Sequence, residues 1–298
     1  MSILYLVATP IGDPDDLSPR AARCLAEVDL IAAEDTRVAR TLLGRLGLRK
    51  QLVSYHAHNE EGRTKQLLDA LSQGQSVALI PDQGTPLVSD PGYRLVSAAT
   101  ERGLRVVPIP GPSAALAALV VCGFPVDRFT VVGFLPRRGA RRRSTLEELA
   151  PLLGALVLFE APHRVAEMIR DSASVLGPRP ALVARNLTKP DEELLRGTLP
   201  ELADRLGAAG RIYGELTVVI AAPEARPPVV GHDELDRAIA RLLAEGLSPR
   251  VIRDVLSDLT GIARGEIYRR AIDARRDTDA EVDPEVDPEG DGEVDPEG

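Results

Sequence analysis

Short runs rich in Val, Ile and Leu alternate with helical periodicity through the first 222 residues, and that alternation constrains this chain most. The runs read as strands are Ile3–Ala8, Leu30–Ala33, Val77–Ile80, Arg105–Ile109, Thr130–Phe134, Ala155–Phe159, Ala181–Ala184 and Glu215–Ala221. Helical patterns fall between them at Arg20–Val28, Thr36–Leu46, Thr64–Leu71, Leu95–Glu101 and Ser113–Val121. Strands alternating with helices make βαβ units, so mainly parallel sheets are expected. Gly, Pro and Arg interrupt the pattern near Phe124-Pro125 and Leu135–Arg143, and a proline-rich linker occupies Pro223–Gly231. Beyond it, Leu235–Leu243, Val251–Leu259 and Ile267–Ile272 read as three short helices, with a helix-turn-helix-like turn at Gly261–Arg264. The expected plan is an α/β lobe at 1–123, a second at 124–222, a helical domain at 232–276 and a tail at 277–298.

The net charge of −9 argues against a nucleic-acid partner only while the chain is averaged. Eleven acidic residues and no Lys or Arg lie between Asp277 and Gly298, which leaves +2 for residues 1–276. That tail repeats Val-Asp-Pro-Glu from Val282, Val286 and Val294. Its self-repelling charge and low apolar content predict disorder. It acts as a solubilising extension or as a competitor of RNA for the basic body. Aromatic residues make up 3% of the chain, too few for an RNA reader built on a row of stacking rings. Cys24 and Cys122 form no disulfide framework, and the His and Cys spacings match no zinc site, so no metal is expected. The N-terminus carries no basic region before its apolar run, and the longest apolar stretch, Ala114–Phe124, is too short to span a membrane. A cytoplasmic protein is expected.

The loops after three strands are unusual. They read Ala8-Thr9-Pro10-Ile11-Gly12-Asp13, then Pro81-Asp82-Gln83-Gly84-Thr85-Pro86-Leu87-Val88-Ser89-Asp90-Pro91-Gly92-Tyr93, then Pro110-Gly111-Pro112-Ser113 leading into a helix. Ligands of open α/β sheets sit beyond the carboxyl ends of strands. Glycine lets backbone approach a ligand, proline stiffens the loop, and an N-capping Ser113 would start a helix with free N–H groups. No Gly-x-Gly-x-x-Gly fingerprint or P-loop is present, which disfavours an ordinary dinucleotide or NTP site.

These loops carry a resemblance. Leu4–Gly12, Ala33-Glu34-Asp35-Thr36-Arg37, Ser54-Tyr55-His56, His58-Asn59-Glu60, Asp82–Tyr93, Pro110–Ser113 and Phe159-Glu160-Ala161-Pro162-His163-Arg164 resemble the ribosomal RNA small subunit methyltransferase I family, a branch of the tetrapyrrole methylases. Asp13-Pro14 and Pro81 depart from the family pattern, and the acidic tail is outside it. The resemblance implies a two-lobed tetrapyrrole-methylase fold. It also implies S-adenosylmethionine as methyl donor and 2′-O-methylation of a cytidine in small-subunit (16S) ribosomal RNA, offered bare or as the 30S subunit. A homodimer follows from the family as well. By position, the donor would be held by Pro10, Gly84, Asp90, Ser113, Ala114 and Phe159, with Ala184 at a strand end beside them. Asp90 either meets the donor's amino group or holds its own turn.

A sulfonium methyl is already activated, so alignment and exclusion of water matter most. A ribose hydroxyl is a poor nucleophile, and a nearby base or cation would help it. Asp35, Arg37, His56 and Glu160 are the foremost candidates, among a wider set of Glu34, His58, Glu60, His163 and Lys189. Asp35 also fits a routine helix N-cap. Arg137, Arg138, Arg141, Arg142 and Arg143 concentrate five guanidiniums within seven residues. They suit phosphate contacts that position RNA, against the alternative of a solvated face. Two other readings stay open: a small-molecule tetrapyrrole methylase, and a non-catalytic nucleic-acid binder using the helical end alone.

Overall fold

A computed structural model describes residues 2–223 and 231–280. Two five-stranded sheets form the body. In the first, β1 (Ile3–Val7), β2 (Leu30–Ala33), β3 (Gln51–Ser54), β4 (Val77–Ile80) and β5 (Arg105–Ile109) run parallel in the order β3-β2-β4-β1-β5. Helices α1 (Pro19–Glu27), α2 (Thr36–Arg45), α3 (Glu60–Ser72) and α4 (Tyr93–Glu101) make the crossovers. Successive strand residues point to opposite faces. Ala32 and Leu79 therefore meet Leu67, Leu71 and Leu95 of α3 and α4, whereas Ile31 and Ile80 meet Leu25 and Leu43 of α1 and α2. Covering both faces explains why β2 and β4 are apolar without a break.

The second sheet contains β6 (Phe129–Phe134), β7 (Ala155–Glu160), β8 (Pro180–Arg185), β9 (Glu193–Thr198) and β10 (Leu216–Ile220), in the order β6-β7-β10-β8-β9. Only β6 and β7 pair in parallel; the other three pairings are antiparallel. The second sheet thus departs from the parallel pairing expected, which the first sheet keeps throughout. The β8–β9 connection is too short for a crossover, and β10 inserts between β7 and β8 against both. Helices α6 (Gly139–Leu149), α7 (Val165–Leu176) and α8 (Leu199–Ala208) pack one face through Leu146, Met168, Ile169 and Leu202. The other face receives α5 (Ala114–Val121), whose Ala115, Ala118 and Leu119 meet Val157, Leu182 and Val219. An almost wholly apolar helix following β5 thus plugs onto the second sheet, and its N-terminus is carried to the line where the two sheets face each other.

Strands β3 and β9, each at the edge of its sheet, escaped the sequence reading because neither carries a sustained apolar run. Gln51-Leu52-Val53-Ser54 offers two apolar residues, and β9 contains Glu193, Arg196 and Gly197. A separate compact unit holds α9 (His232–Ala244), α10 (Pro249–Thr260) and α11 (Arg264–Ala280) around Leu235, Ile239, Ile252, Leu256 and Ile267. Gly261 ends α10 at φ +69°, a left-handed cap that glycine adopts without Cβ strain. His232 is the first residue of α9 and its ring contacts Arg270. Helix α11 is much longer than Ile267–Ile272 and takes in Asp277–Ala280 of the segment expected to be disordered, because no Gly or Pro interrupts the chain between Glu266 and Val282. The rest of that expectation, residues 281–298, lies outside the described residues. No helix among the described residues is long and apolar enough to cross a membrane.

Candidate functional site

A cleft of about 390 Å³ opens where the carboxyl ends of the first sheet's strands face the second sheet. Its walls come from the loop after β4 (Gln83–Asp90), the start of α5 (Ser113, Ala114), the ends of β6 and β7 (Phe134, Phe159–Pro162) and Gly214–Thr217 entering β10, with Ile11 and Leu187 from the loops after β1 and β8. Ser113 caps α5, its hydroxyl accepting from the Leu116 N–H. The N–H groups of the first helical turn therefore face the cleft without intrahelical partners.

The β4–α4 loop is tied down on several sides. Thr9 and Gly84 exchange backbone hydrogen bonds at 2.8 and 3.0 Å, the Thr85 hydroxyl donates to Pro112 O at 3.0 Å, and Gly92 N–H donates to the Glu60 carboxylate at 3.1 Å. Leu87 and Ser89 both adopt φ +70°, a left-handed conformation costly for side-chain-bearing residues and held only where surroundings over-determine it. Gly133 is one such surrounding. It sits at a bulge in β6 with φ +77°, and a Cβ there would lie 2.7 Å from the Ser89 hydroxyl oxygen. Asp90, at the end of this loop, is held away from solvent, and the carboxylates of Glu34 and Asp82 face it. Burial first, and those charges second, push its acid up to about 7. Burial first, and a neighbouring carboxylate second, also raise Glu34 (beside Asp82) and Asp82 (beside Asp35).

The residues singled out from sequence separate into those on the cleft and those elsewhere. Gly84, Asp90, Ser113, Ala114 and Phe159 all line it. Pro10 does not; it borders a neighbouring cavity of about 170 Å³ with Gly12, Asp82 and Lys189. Ala184 is fully buried in the core between α5 and the second sheet, because its place in β8 turns its methyl group inward. Of Asp35, Arg37, His56 and Glu160, only Glu160 borders the cleft. Its carboxylate is occupied: Oε1 accepts from Ala161 N–H at 2.8 Å and Oε2 lies 3.1 Å from Arg164. Asp35 caps α2, accepting from Arg37 N–H at 2.8 Å and pairing with the Arg37 guanidinium, which holds its carboxyl down at about 2. That guanidinium is 86% exposed. The His56 ring lies 3.2 Å from the Asn59 amide, and Lys189 pairs with Glu215 at 2.9 Å.

The arginine run divides in a way its spacing concealed. Arg142 is wholly buried, bonded through Nε to Asp171 at 2.7 Å and paired with Glu167 at 2.7 Å. Arg143 reaches the other Asp171 oxygen at 3.1 Å. Along α6, positions 142 and 146 share a face, so Arg142 follows Leu146 inward onto α7. Arg142 is therefore a structural cation, and the exposed guanidiniums of the run are Arg137, Arg138 and Arg141 with a partly engaged Arg143. Phe134, Leu187 and Gly214–Thr217 were missed as cleft walls. A glycine inside the β6 pattern was the available signal for the first, since it marks a bulge or close approach. Cys24 and Cys122 are free and buried, and burial pushes the Cys24 thiol up to about 11. Among the described residues no group of three or more His, Cys, Asp or Glu is placed to hold a metal.

The cleft suits a folded nucleoside attached to an amino acid. Ile11, Ala114, Phe159, Leu187 and Leu216 supply apolar walls, Asp90 supplies an acceptor for a cation, and the α5 N–H groups supply donors. Its volume falls within the roughly 300–1,000 Å³ usual for small-molecule sites. Residues 3–203 match the tetrapyrrole (corrin/porphyrin) methylase family. The chain is 49% identical over 273 residues to a Micromonospora olivasterospora protein named ribosomal RNA small subunit methyltransferase I, covering 90% of this chain and 85% of that one. It is 45% identical to a Mesorhizobium japonicum protein of the same name, covering 94% of each. A solved uroporphyrin-III C-methyltransferase from Thermus thermophilus, complexed with S-adenyl homocysteine, superposes with a TM-score of 0.53 at 22% identity, covering 73% of this chain and 97% of that one, and shares the fold. The chain belongs to the ribosomal RNA small subunit methyltransferase I family of the tetrapyrrole methylases, a family of S-adenosylmethionine-dependent methyltransferases.

Proposed function

We propose that this chain transfers the methyl group of S-adenosylmethionine to the ribose 2′-oxygen of a cytidine in 16S ribosomal RNA, acting in the cytoplasm on the 30S subunit or its RNA. The observation that carries the reading is the convergence of the β4–α4 loop, the start of α5 and Phe159 on one cleft. The lobes at 1–123 and 124–222 would share that cleft, with 232–276 a separate helical domain and the protein a homodimer.

Bound there, S-adenosylmethionine supplies an electrophilic methyl on a sulfonium. Gly84, Ser113, Ala114 and Phe159 would hold it, with Asp90 facing its positive charge; Pro10 and Ala184 would shape the walls from behind. Glu160, engaged by Arg164 and Ala161, fixes the Ala161-Pro162 rim. The Asp35–Arg37 pair stands outside the cleft with its guanidinium in solvent, where an RNA phosphate can reach it. His56, with Asn59, braces the β3–α3 turn.

Transfer of labelled methyl from the donor to 30S subunits, bare 16S RNA and a corrin precursor tests the reading. Label in an alkali-resistant dinucleotide containing 2′-O-methylcytidine is the expected product. Label on a base, or on the corrin alone, overturns it.

Asp90 yields a pH prediction. Its folded pKa is raised to about 7, so below that pH the free protein carries it protonated. A cationic ligand favours the carboxylate and must displace that proton. Donor affinity should therefore rise as pH approaches 7, by at most about tenfold per unit, and level off above it. Asp90→Asn should flatten this profile; calorimetry across pH that shows the same slope for both proteins would remove Asp90 from the donor site.

A further inference from the structure

A second groove, of about 760 Å³, runs from the cleft rim. Phe134, Leu135, Pro136 and Arg137 border it on one side, and Ala161, His163 and Arg164 on the other. It shares Phe134 and Ala161 with the cleft, so whatever occupies it lies beside the ligand in the cleft. Phe134 is 59% exposed, the more open of two exposed phenylalanines, and unlike Phe129 at 45% it borders both the cleft and the groove. Its ring leans on Phe159 at 5.9 Å and 54°, which leaves one face open. Exposing a large apolar ring costs free energy unless something covers it. The charged residues along the groove differ in availability. Arg164 is spent, donating to Leu135 O at 2.9 Å and pairing with Glu160. Arg137 and His163 are exposed, and neither forms an ion pair with any described residue.

We propose that this groove receives the acceptor nucleotide, with its base stacked on the open face of Phe134 and its phosphate against Arg137 and His163. An apolar face beside an unpaired guanidinium and an exposed imidazole complements a planar base joined to an anion. A base drawn out of its helix needs one such platform rather than a row. That reconciles the scarcity of aromatics with an RNA substrate. The proposal rests on the RNA methyltransferase reading and adds to it the residues that select and hold the target.

The chain has no tryptophan, so Phe134→Trp introduces a single fluorophore on the stacking face. A short cytidine-containing single-stranded oligoribonucleotide should quench that fluorescence saturably, and adding Arg137→Gln should weaken the binding roughly fivefold and reduce its salt dependence. In methyl transfer to 30S subunits, Phe134→Ala should lower kcat/KM about tenfold or more, with Phe134→Trp restoring most of it. Arg137→Gln should raise KM while leaving S-adenosylhomocysteine affinity, measured by calorimetry, at the wild-type value. The groove assignment is overturned if wild-type protein methylates RNA but the oligonucleotide leaves the indole unquenched and Phe134→Ala and Arg137→Gln transfer methyl normally. A wild-type protein that methylates no RNA would instead sink the underlying functional reading.

Discussion

Ser113→Trp should bind S-adenosylhomocysteine at least about 100-fold more weakly than wild type, equivalent to about 2.7 kcal/mol. Ser113 stands at the cleft wall as the residue that starts α5, so an indole there projects into the space a ligand would fill. The substitution also removes the hydroxyl that accepts from Leu116 N–H, a cap worth about 1 kcal/mol. The two losses are separable. Calorimetry should show binding gone while urea unfolding shows stability reduced by about the cap alone. Ser113→Ala supplies the control, with a similar stability loss and most of the donor affinity retained. Unchanged affinity in folded Ser113→Trp would mean the ligand sits elsewhere.

Asp171→Ala should cost about 3 kcal/mol of stability, because it leaves the fully buried Arg142 with Glu167, a partner 60% exposed, as its remaining counter-charge. Removing one member of a buried pair strands the other, whereas replacing the cation by an apolar side chain of similar length removes the problem. The double variant Arg142→Met with Asp171→Ala should therefore recover much of the loss. Arg137→Ala, Arg138→Ala and Arg141→Ala, on exposed positions, should each stay within about 0.5 kcal/mol of wild type. Equal destabilisation by all five arginine replacements in urea titrations would contradict the division of the run into one buried cation and its exposed neighbours.

That division marks where reading residues in order reaches its limit. Five arginines in seven positions look alike in a sequence. Which of them is buried depends on the phase of α6 against α7, set by Leu146 on one helix and Met168 on the other. The local composition of that helix carries no such phase. The same holds for Ala184: it lies near a strand end, yet a strand alternates its side chains, and the register that turns Ala184 into the core is supplied by its neighbours in the sheet.

What was legible is what short-range physics decides. Unbroken apolar runs at Leu30–Ala33 and Val77–Ile80 declare strands covered on both faces, and the Gly- and Pro-rich loops after β1, β4 and β5 declare a site beyond the strand ends. The resemblance carried by those loops implied donor contacts at Gly84, Asp90, Ser113 and Ala114, and all four line one cleft. What only the tertiary structure decided required partners distant in sequence. Strands β3 and β9 are strands because a neighbour completes their hydrogen bonds, not because their residues demand it. The antiparallel insertion of β10 brings Gly214–Thr217 to the cleft, and the bulge at Gly133 sets Phe134 beside it. Asp90 owes its raised pKa first to burial, and then to the carboxylates of Glu34, which arrives from the end of β2, and Asp82 of its own loop. A carboxylate's charge state follows from the solvent and charges around it, and those belong to the fold rather than to the residue.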